Sequence, residues 1–557
     1  MASQSATNGN PTKAKKTHHN AIVVGGGFSG LRALYEVQKQ GYEGQAFEAG
    51  SGIGGTWYWN RYPGARTDSE SWVFIFSFLN EVGMEWVWKE RYPQQAEVEE
   101  YLNKLADHLK LRDSIQLNTT VEAARRDEQR NLWVVKTSDG IEHTCKFLIT
   151  GTGPLATPVE PPFTGLANFK GEWYRTGTWP DNKVSFAGKR VAVVGTGATG
   201  VQVIPIVAHS AKQLTVFQRT PNYVIPGRNH PLTPEQMSEI TRDYKEIKLR
   251  ALSQAWGFDM VDSQQLYDMI KDDSNEVQRV LEGGWEKGGF RYFFESFADL
   301  LTDEECNRTV ADFIRRKVKS VVKDPETAEL LCPDYPVIAK RPPLGHHYYE
   351  AYNKPNVRLV DVSKNPIQDV TPVGIKTANE EYEFDMIIFA LGFDAVTGTL
   401  ARIDIRNDKD EKLGDVFNQD LQINLGVTVP SFPNLFMIFG PTSAFANSPM
   451  IIDITSDWVG QTLKWMKENN KDRCESTADG AQKWSDHVRL VYNMLVIAKH
   501  AGSVTNWMVG SNVPGKNVTP IFYYGGVPAF HKALTTEREE GYPGHKFEQR
   551  NTSIGAA

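Results

Sequence analysis

The sequence is poor in cysteine, has no apolar run long enough to cross a membrane, and carries no excess of positive charge. Its cysteines, Cys145, Cys306, Cys332 and Cys474, lie far apart and form no C-x-x-C pair, which argues against a disulfide framework and a cysteine metal site. A membrane-spanning helix needs about 18 apolar residues in succession. The net charge of −7 argues against a nucleic-acid partner. We therefore predict a cytoplasmic protein without a membrane span, a metal or a nucleic-acid partner.

The 557 residues are 40% hydrophobic and 23% charged, which is typical of a globular protein with several domains. Residues 1–20 are polar and basic and lack the apolar stretch of a signal peptide, so we predict a disordered, solvated tail there. The 14 Trp, 20 Tyr and 27 Phe are many for such a chain and suit a cleft that binds flat rings.

A dinucleotide-binding fingerprint opens the folded part of the sequence. Residues 20–24 form an apolar run typical of a buried strand, the glycines Gly25, Gly27 and Gly30 follow in G-x-G-x-x-G spacing, and a helical pattern comes next. Such a turn brings a pyrophosphate to the helix N-terminus. Glu48 stands roughly 20 residues further on, where a carboxylate accepts both ribose hydroxyls. This unit is predicted to bind FAD.

The same pattern recurs in the middle of the chain. Strand-like runs over residues 189–194 and 213–217 enclose a second glycine turn at 195–200. The second run is followed by Arg219, in the place that Glu48 takes in the first unit. An arginine pairs with a 2′-phosphate rather than with a free ribose diol. This second unit is therefore predicted to bind NADPH.

After the second nucleotide unit the pattern of apolar residues in the sequence changes twice. Helix starts and apolar residues at helical spacing indicate an all-helical insertion. The apolar run at residues 385–390 is predicted to return the chain to the FAD sheet. We thus expect an α/β fold with two Rossmann-like domains, FAD-binding at 21–153 and 385–557 and NADP-binding at 154–225 and 337–384, with a helical insertion at 226–336.

Two nucleotide units, one for FAD and one for NADPH, imply hydride transfer from the nicotinamide to the flavin. Disulfide reductases pass the electrons on to a close cysteine pair, which this sequence does not contain. Molecular oxygen is therefore the predicted acceptor.

Two further motifs carry a resemblance to a known family. Residues 54–68 match the segment G-G-x-W-x4-Y-P-G-x3-D at every fixed position, and Phe169, Gly171 and Trp179 match F-x-G-x3-H-x3-W, in which Arg175 replaces the histidine. On these motifs the sequence resembles the FAD-dependent Baeyer–Villiger monooxygenases over nearly its whole length. The family histidine is tied to the relative motion of the two domains, so Arg175 is expected to affect coupling rather than the type of reaction.

The resemblance implies an NADPH- and oxygen-dependent conversion of ketones to esters or lactones through a peroxyflavin. Arg341 aligns with the family's active-site arginine, and Asp68 aligns with the carboxylate that orients it. A guanidinium suits this role because it stays charged at any working pH and stabilises a developing oxyanion.

The resemblance also assigns further binding residues. Beside the flavin it places Ser29, Gly55, Thr56, Trp57, Val121 and Met450. Around NADP it places Thr196, Gly197, Ala198, Thr199, Gly200, Gln202, Thr220 and Lys340, with Trp507 on a loop that folds over this cofactor. At the ketone site it places Phe445, Ala446 and Asn447.

Two rival interpretations remain open at the level of the sequence. A related flavin monooxygenase oxygenates soft nitrogen or sulfur atoms, and Arg341 favours ketone oxidation over that reaction. The rival from another class is a nucleotide-binding redox module without turnover.

The predicted phosphate contact of Arg219 can be tested directly. Replacing Arg219 by alanine should weaken NADPH binding by ~1.5–3 kcal/mol, the range for a charge-assisted hydrogen bond, and leave NADH binding nearly unchanged. Dissociation constants for the two cofactors measure the effect. An equal loss for both would contradict the assignment.

Overall fold

The computed structural model describes residues 16–502 and 504–550. Its strands are β1 His18–Val24, β2 Gly44–Phe47, β3 Ile115–Gln116, β4 Val121–Asp127, β5 Leu132–Thr137, β6 Glu142–Thr150, β7 Glu172–Arg175, β8 Arg190–Val194, β9 Gln213–Gln218, β10 Ile225–Pro226, β11 Leu344–Gly345, β12 Val357–Asp361, β13 Ile367–Thr371, β14 Gly374–Thr377, β15 Glu381–Glu383, β16 Met386–Phe389, β17 Asp404–Arg406, β18 Leu435–Met437, β19 Arg473–Ser476 and β20 His545–Glu548.

The α-helices lie between these strands. They are α1 Phe28–Lys39, α2 Thr56–Trp59, α3 Gln95–His108, α4 Ala198–Ser210, α5 Pro234–Arg242, α6 Tyr244–Ser253, α7 Ser274–Lys287, α8 Arg291–Phe294, α9 Glu304–Val321, α10 Pro325–Leu330, α11 Tyr348–Ala351, α12 Thr397–Arg402, α13 Leu413–Gln419, α14 Ser448–Glu468, α15 Ala478–Asn493, α16 Val496–Lys499 and α17 Val527–Glu539. Within this part of the chain no helix has the length and apolar character that crossing a membrane requires.

Two separate sheets form the centre of the fold. The first has the order β17-β4-β5-β6-β1-β2-β3, with β18 also paired to β6, and β1 runs parallel to both β2 and β6. The second is entirely parallel, with the order β12-β9-β8-β16-β7. Parallel strands are buried on both faces, which explains the continuous apolar runs of β1 and β8. The predicted α/β class with two Rossmann-like units is confirmed.

The assignment of residues 385–390 to the FAD sheet was wrong. Strand β16 lies in the second sheet, parallel to β8 and β7. A Cβ on Gly195 would lie 2.4 Å from the Ala390 carbonyl oxygen, just as a Cβ on Gly25 would lie 2.6 Å from that of Gly151. Each exit strand thus ends beside the glycine turn of its own unit, and the chain rejoins the first sheet only at β17. A short apolar strand does not encode which of two parallel sheets it enters.

The start of the fold also differs from the prediction. Strand β1 begins at His18, because His18 and His19 pair with residues of β6, and His18 Nδ1 lies 2.8 Å from Thr144 Oγ1. The predicted tail at 1–20 therefore extends too far, because residues 18–20 belong to β1. Residues 1–15 of that tail, and residues 551–557 of the predicted FAD domain, lie outside the described residues.

Helices α5 to α10 lie between β10 and β11, which pair with each other. Along α9 the side chains of Ala311, Ile314 and Val318 are buried, as the helical spacing of apolar residues predicted. This part of the chain packs against residues that line the central cavity described below, with Phe290 beside Arg341 and Trp256 beside Phe445.

A buried ionic network joins α1, which follows the first glycine turn, to α14. The Arg32 guanidinium pairs with Asp453 at 2.7 Å and with Glu36, and all three side chains are at most 7% exposed. The second Asp453 oxygen accepts the Ser77 backbone N–H at 2.6 Å. The network therefore holds α14 and the backbone around Ser77 against α1.

Replacing Arg32 by methionine should lower the unfolding free energy by about 3–5 kcal/mol, because two buried carboxylates lose their counter-charge. Urea unfolding followed by flavin release and circular dichroism measures the loss. Replacing Arg489, which pairs with Asp420 and Asp486 on the surface, is the control and should cost less than about 1 kcal/mol. Equal effects of the two replacements would contradict the role given to Arg32.

Candidate active site

A cavity of about 880 Å³ opens at the carboxyl ends of strands from both sheets, where ligands bind in folds of this kind. Sixteen of the predicted site residues line it: Gly25, Gly27, Ser29, Glu48, Gly55, Thr56, Trp57, Asp68, Val121, Ala198, Thr199, Gln202, Arg341, Phe445, Ala446 and Trp507. The predicted residues outside this lining are Gly30, Thr196, Gly197, Gly200, Arg219, Thr220, Lys340, Asn447 and Met450. The cavity therefore brings together most of the predicted FAD site, four of the ten predicted NADP residues, and two of the three predicted ketone-site residues.

The first glycine turn forms one end of this cavity. Helix α1 begins directly after Gly27, and no side chain caps its first turn. A Cβ on Gly27 would lie 3.0 Å from the Gly55 Cα, so the turn and the 54–56 segment approach each other at backbone distance. Uncapped N–H groups at a helix N-terminus are a binding site for a pyrophosphate. The turn fits the diphosphate of FAD.

The Glu48 carboxylate follows β2 and is 5% exposed. Its oxygens accept the backbone N–H groups of Gly26 at 2.6 Å and Gly50 at 2.7 Å. Burial raises the pKa of Glu48, and these two hydrogen bonds offset part of that rise. A carboxylate has about four acceptor positions, so it retains capacity for the hydroxyls of a ribose. This geometry fits the adenosine ribose of FAD.

The second glycine turn has the same construction and is open where the first is covered. A Cβ on Gly197 would meet no atom within 4 Å, and α4 begins directly after it, again without a side-chain cap. The Thr196 hydroxyl donates to the Thr220 carbonyl at 3.2 Å, which ties the turn to the end of β9. The uncapped helix start fits the diphosphate of a second nucleotide.

Arg219 and Lys340 lie together at the outer edge of this second site. Burial, and the neighbouring charge of Arg219, lower the pKa of Lys340 to about 8. An anion bound between two like charges would relieve their repulsion. The pair fits a 2′-phosphate, and both assignments remain predictions.

The Y-P-G part of the first family motif joins the two halves of the protein. The Tyr62 hydroxyl donates to Gln202 Oε1 at 2.7 Å, and Gln202 Nε2 donates to the Arg66 carbonyl at 3.1 Å. Gly64 has φ of +89°, and a Cβ there would lie 2.6 Å from the Gln202 carbonyl oxygen. Only glycine permits this contact between the FAD half and α4.

The Arg341 guanidinium donates to the Asp68 carboxylate and lies over the Phe290 ring, 5.2 Å from its centroid. Both charged side chains are about one quarter exposed, toward the cavity. Lys340 is the residue before Arg341. The two adjacent cations therefore lie toward different halves of the protein: Lys340 near Arg219, and Arg341 on Asp68.

Aromatic side chains close the remaining side of the cavity. Trp507 packs perpendicular to Phe522 with 5.7 Å between the ring centroids, and Phe445 lies 5.2 Å from Phe522. The loop that carries Trp507 is held by Asn506, whose Nδ2 donates to the Ala339 carbonyl at 2.6 Å. These rings give the cavity an apolar wall.

Two residues predicted beside the flavin and the ketone, Met450 and Asn447, do not line the cavity. The Asn447 side chain is 2% exposed and donates through Nδ2 to the Val73 carbonyl at 2.7 Å. Met450, on α14, packs near Gly257 of the insertion, and the cavity is lined instead by Ser448 and Ile452 of the same helix. The Asn447 side chain is thus used in packing, and the predicted roles of Asn447 and Met450 stay predictions.

Sequence reasoning missed several lining residues, among them Leu155, Phe393, Phe439 and Phe522. None belongs to a motif, and each reaches the cavity from a distant part of the chain. Only the excess of aromatic residues in the composition pointed to them.

Arg175, at the end of β7, pairs with Phe389 of β16 in register and forms an ion pair with Glu160. The hydroxyl of its neighbour Thr176 donates to the Thr199 hydroxyl at 3.3 Å, and Thr199 lines the cavity. Arg175 itself does not line the cavity. Its expected effect on coupling stays a prediction.

Comparison with known proteins identifies relatives along the whole chain. The flavin-binding monooxygenase-like family matches residues 18–276. A Baeyer–Villiger monooxygenase of Pseudooceanicola batsensis is 39% identical over 95% of this chain and 96% of its own length. Cyclohexanone 1,2-monooxygenase of an Acinetobacter species is 38% identical over 97% and 99%. Phenazine N-monooxygenase PhzNO1 of Lysobacter antibioticus is 36% identical over 95% and 97%.

Solved structures show the same similarity in three dimensions. The closed crystal structure of cyclohexanone monooxygenase superimposes with a TM-score of 0.92 at 37% identity, over 96% of this chain and 100% of that one. The complex of the enzyme OTEMO with FAD and NADP gives 0.91 at 36% identity, also over 96% and 100%. The fold and site are those of a flavin-binding monooxygenase. Within that class, the chain belongs to the Baeyer–Villiger monooxygenase family, as its motifs indicated.

The lowered pKa of Lys340 predicts a pH dependence of NADPH binding. As the pH rises through about 8, the ammonium loses its proton and with it the attraction for a 2′-phosphate. The dissociation constant of NADPH should therefore rise by up to about tenfold per pH unit above 8, the limit for linkage to one proton.

Titration of NADPH between pH 6.5 and 9.5 measures this effect. NADH, which has no 2′-phosphate, is the control and should show little change. Replacing Lys340 by arginine should flatten the NADPH profile, since a guanidinium stays charged. A profile that keeps its slope in this variant would contradict the role of Lys340.

Proposed function

We propose that the protein is an NADPH- and oxygen-dependent flavin monooxygenase that converts ketones to esters or lactones. The family assignment confirms the predicted enzyme class and the predicted cofactors FAD and NADP. The observation that carries the proposal is the Arg341–Asp68 ion pair, which lies in the cavity shared by both nucleotide sites. A fixed cation at that place is suited to a reaction that develops negative charge on oxygen.

The relatives support ketones as the substrate class. One similar protein is named for cyclohexanone, and others for cyclopentanone and acetone. In the present chain Phe445, Trp507 and Phe522 line the same cavity as Arg341. Apolar rings together with a cation that is fixed by a carboxylate fit a molecule with one carbonyl group and a hydrocarbon body.

Bound FAD, reduced by NADPH, supplies the activated oxygen. Arg341 offers a permanent positive charge to the carbonyl oxygen as negative charge grows there, and Asp68 fixes the direction of the guanidinium. The Phe290 ring supports its other face. The aromatic wall keeps water out, which strengthens these electrostatic contacts and limits the loss of activated oxygen as peroxide.

Oxygenation of an aromatic nitrogen is the second candidate function. It is favoured by one observation, the 36% identity to phenazine N-monooxygenase PhzNO1. The two functions are distinguished by incubating the purified enzyme with NADPH and a panel of ketones and aromatic N-heterocycles. Mass spectrometry then identifies which class of compound gains one oxygen atom. The non-turnover redox module has no support, since the similar proteins are enzymes.

Replacing Arg341 by alanine tests the proposed chemistry. Ester formation should fall by roughly a hundred- to a thousandfold, or ~2.7–4 kcal/mol, as for removal of one preorganised donor to an oxyanion. FAD should remain bound, because the first glycine turn and Glu48 do not depend on Arg341. The NADPH still consumed should appear as peroxide.

Ester yield by mass spectrometry and peroxide by a coupled assay measure both products. Lysine at this position should restore little activity, because a point charge does not reproduce the guanidinium fork. Ester formation near the wild-type rate in the alanine variant, with FAD fully bound, would remove Arg341 from the mechanism.

A further inference from the structure

Arg341 is held in place from two sides by parts of the chain that are remote in sequence. The Asp68 carboxylate belongs to the FAD half, and the Phe290 ring belongs to the helical insertion. The direction of the guanidinium therefore depends on the relative position of two segments, one around residue 68 and one around residue 290.

A buried ionic cluster joins these two segments. Glu70, two residues after Asp68, is 3% exposed. It accepts hydrogen bonds from Arg91 (Nε at 3.1 Å and Nη2 at 2.7 Å) and from Arg291 (Nε at 3.0 Å and Nη2 at 3.1 Å). One carboxylate is thus shared by two guanidinium groups. We call Glu70, Arg91 and Arg291 the Glu70 cluster.

Arg291 connects the cluster to the Phe290 ring. It is the residue after Phe290, and its remaining donors reach Glu295 Oε1 and the Asp259 carbonyl, each at 2.6 Å. Burial opposes its charge, but Glu70 and Glu295 outweigh burial and raise its pKa. Arg291 is therefore charged, and each nitrogen of its guanidinium has a hydrogen-bond acceptor.

Arg91 connects the same two segments independently. Its backbone carbonyl accepts the Ser71 N–H at 2.7 Å, and its Nη1 donates to the Lys287 carbonyl at 3.0 Å. Nearby, a Cβ on Gly289 would lie 2.1 Å from the Tyr92 hydroxyl, so the 287–291 segment is seated directly on the 91–92 segment.

We propose that the Glu70 cluster positions Arg341 for oxygen transfer, because it fixes the Asp68 carboxylate and the Phe290 ring relative to each other. The proposal rests on the proposed function, since it concerns the same reaction. Glu70, Arg91 and Arg291 are positioning residues. They act through Arg341, which lines the cavity, whereas they do not.

The physical requirement is geometric. A displacement of about 1 Å at a catalytic group can lower the rate about a hundredfold. The planar Arg291 guanidinium bridges Glu70, Glu295 and a carbonyl, and so fixes the distance between the segments around residues 68 and 290. A lysine would keep the charge but could not make these several hydrogen bonds from one rigid group. Replacing Arg291 by lysine therefore disturbs position while it preserves charge.

The experiment is a double-mutant cycle with the holoenzyme. Arg291→Lys and Arg341→Lys are made alone and together, and the ratio of ester formed to NADPH consumed is measured for each. The matched control is Arg279→Lys, which alters a bidentate pair with Glu276 on the exposed face of α7 in the same insertion.

With Arg341 present, Arg291→Lys should lower the ester-to-NADPH ratio at least fivefold, with FAD content unchanged and KM for NADPH within twofold. In the Arg341→Lys background the same change should alter the ratio less than twofold, because the positioned group is gone. Arg279→Lys should leave the ratio unchanged. Equal fold losses in both backgrounds would overturn the proposal.

Failure of the proposed function has a different signature, since the wild-type enzyme would then form no ester from any ketone. In that case, crystal structures of the wild type and of Arg291→Lys decide the proposal. It requires the variant to displace the Arg341 guanidinium from Asp68 or from the Phe290 ring, and an unmoved guanidinium overturns it. Arg91→Lys provides the same comparisons if Arg291→Lys does not fold.

Discussion

The ion pair between Arg341 and Asp68 lies where the FAD half, the NADP half and the helical insertion meet. A partly buried cation needs a carboxylate as its counter-charge. That carboxylate fixes the direction of the cation only if its own backbone is held in place. The motif that ends in Asp68 supplies that backbone, because Gly64 and Tyr62 lock the same segment against α4. The chemistry of the site thus depends on how firmly the two halves are joined.

The two Rossmann-like units are built alike and are used differently. Each has a glycine turn that closes on an exit strand, Gly25 on Gly151 and Gly195 on Ala390. In the first unit the turn is covered by the 54–56 segment, which suits a cofactor that stays bound. In the second unit the place next to Gly197 is open, which suits a cofactor that enters and leaves.

The helical insertion is a working part of the site. It contributes Phe290 beneath Arg341, and its Trp256 packs perpendicular to Phe445 with 5.5 Å between the ring centroids. Changes in this insertion would therefore reach both Arg341 and Phe445.

The sequence by itself determined the local features whose physics lies within a few residues. Both glycine turns, the acid at Glu48, the basic residue at Arg219 and the Asp68 motif were readable because a strand, a turn and a helix start follow each other directly. The resemblance carried by residues 54–68 added Arg341. The class of fold and enzyme followed from these elements.

Only the tertiary structure decided which distant segments meet. Residues 386–389 form an apolar strand that fits either sheet by composition, and its place was set by the close approach of Ala390 to Gly195. Asn447 lies in the expected region, but only the fold shows that its side chain is spent on a hydrogen bond to the Val73 carbonyl. The Glu70 cluster has no sequence signature, because its partners are far apart in the chain and each looks like an ordinary surface charge until the fold buries them together.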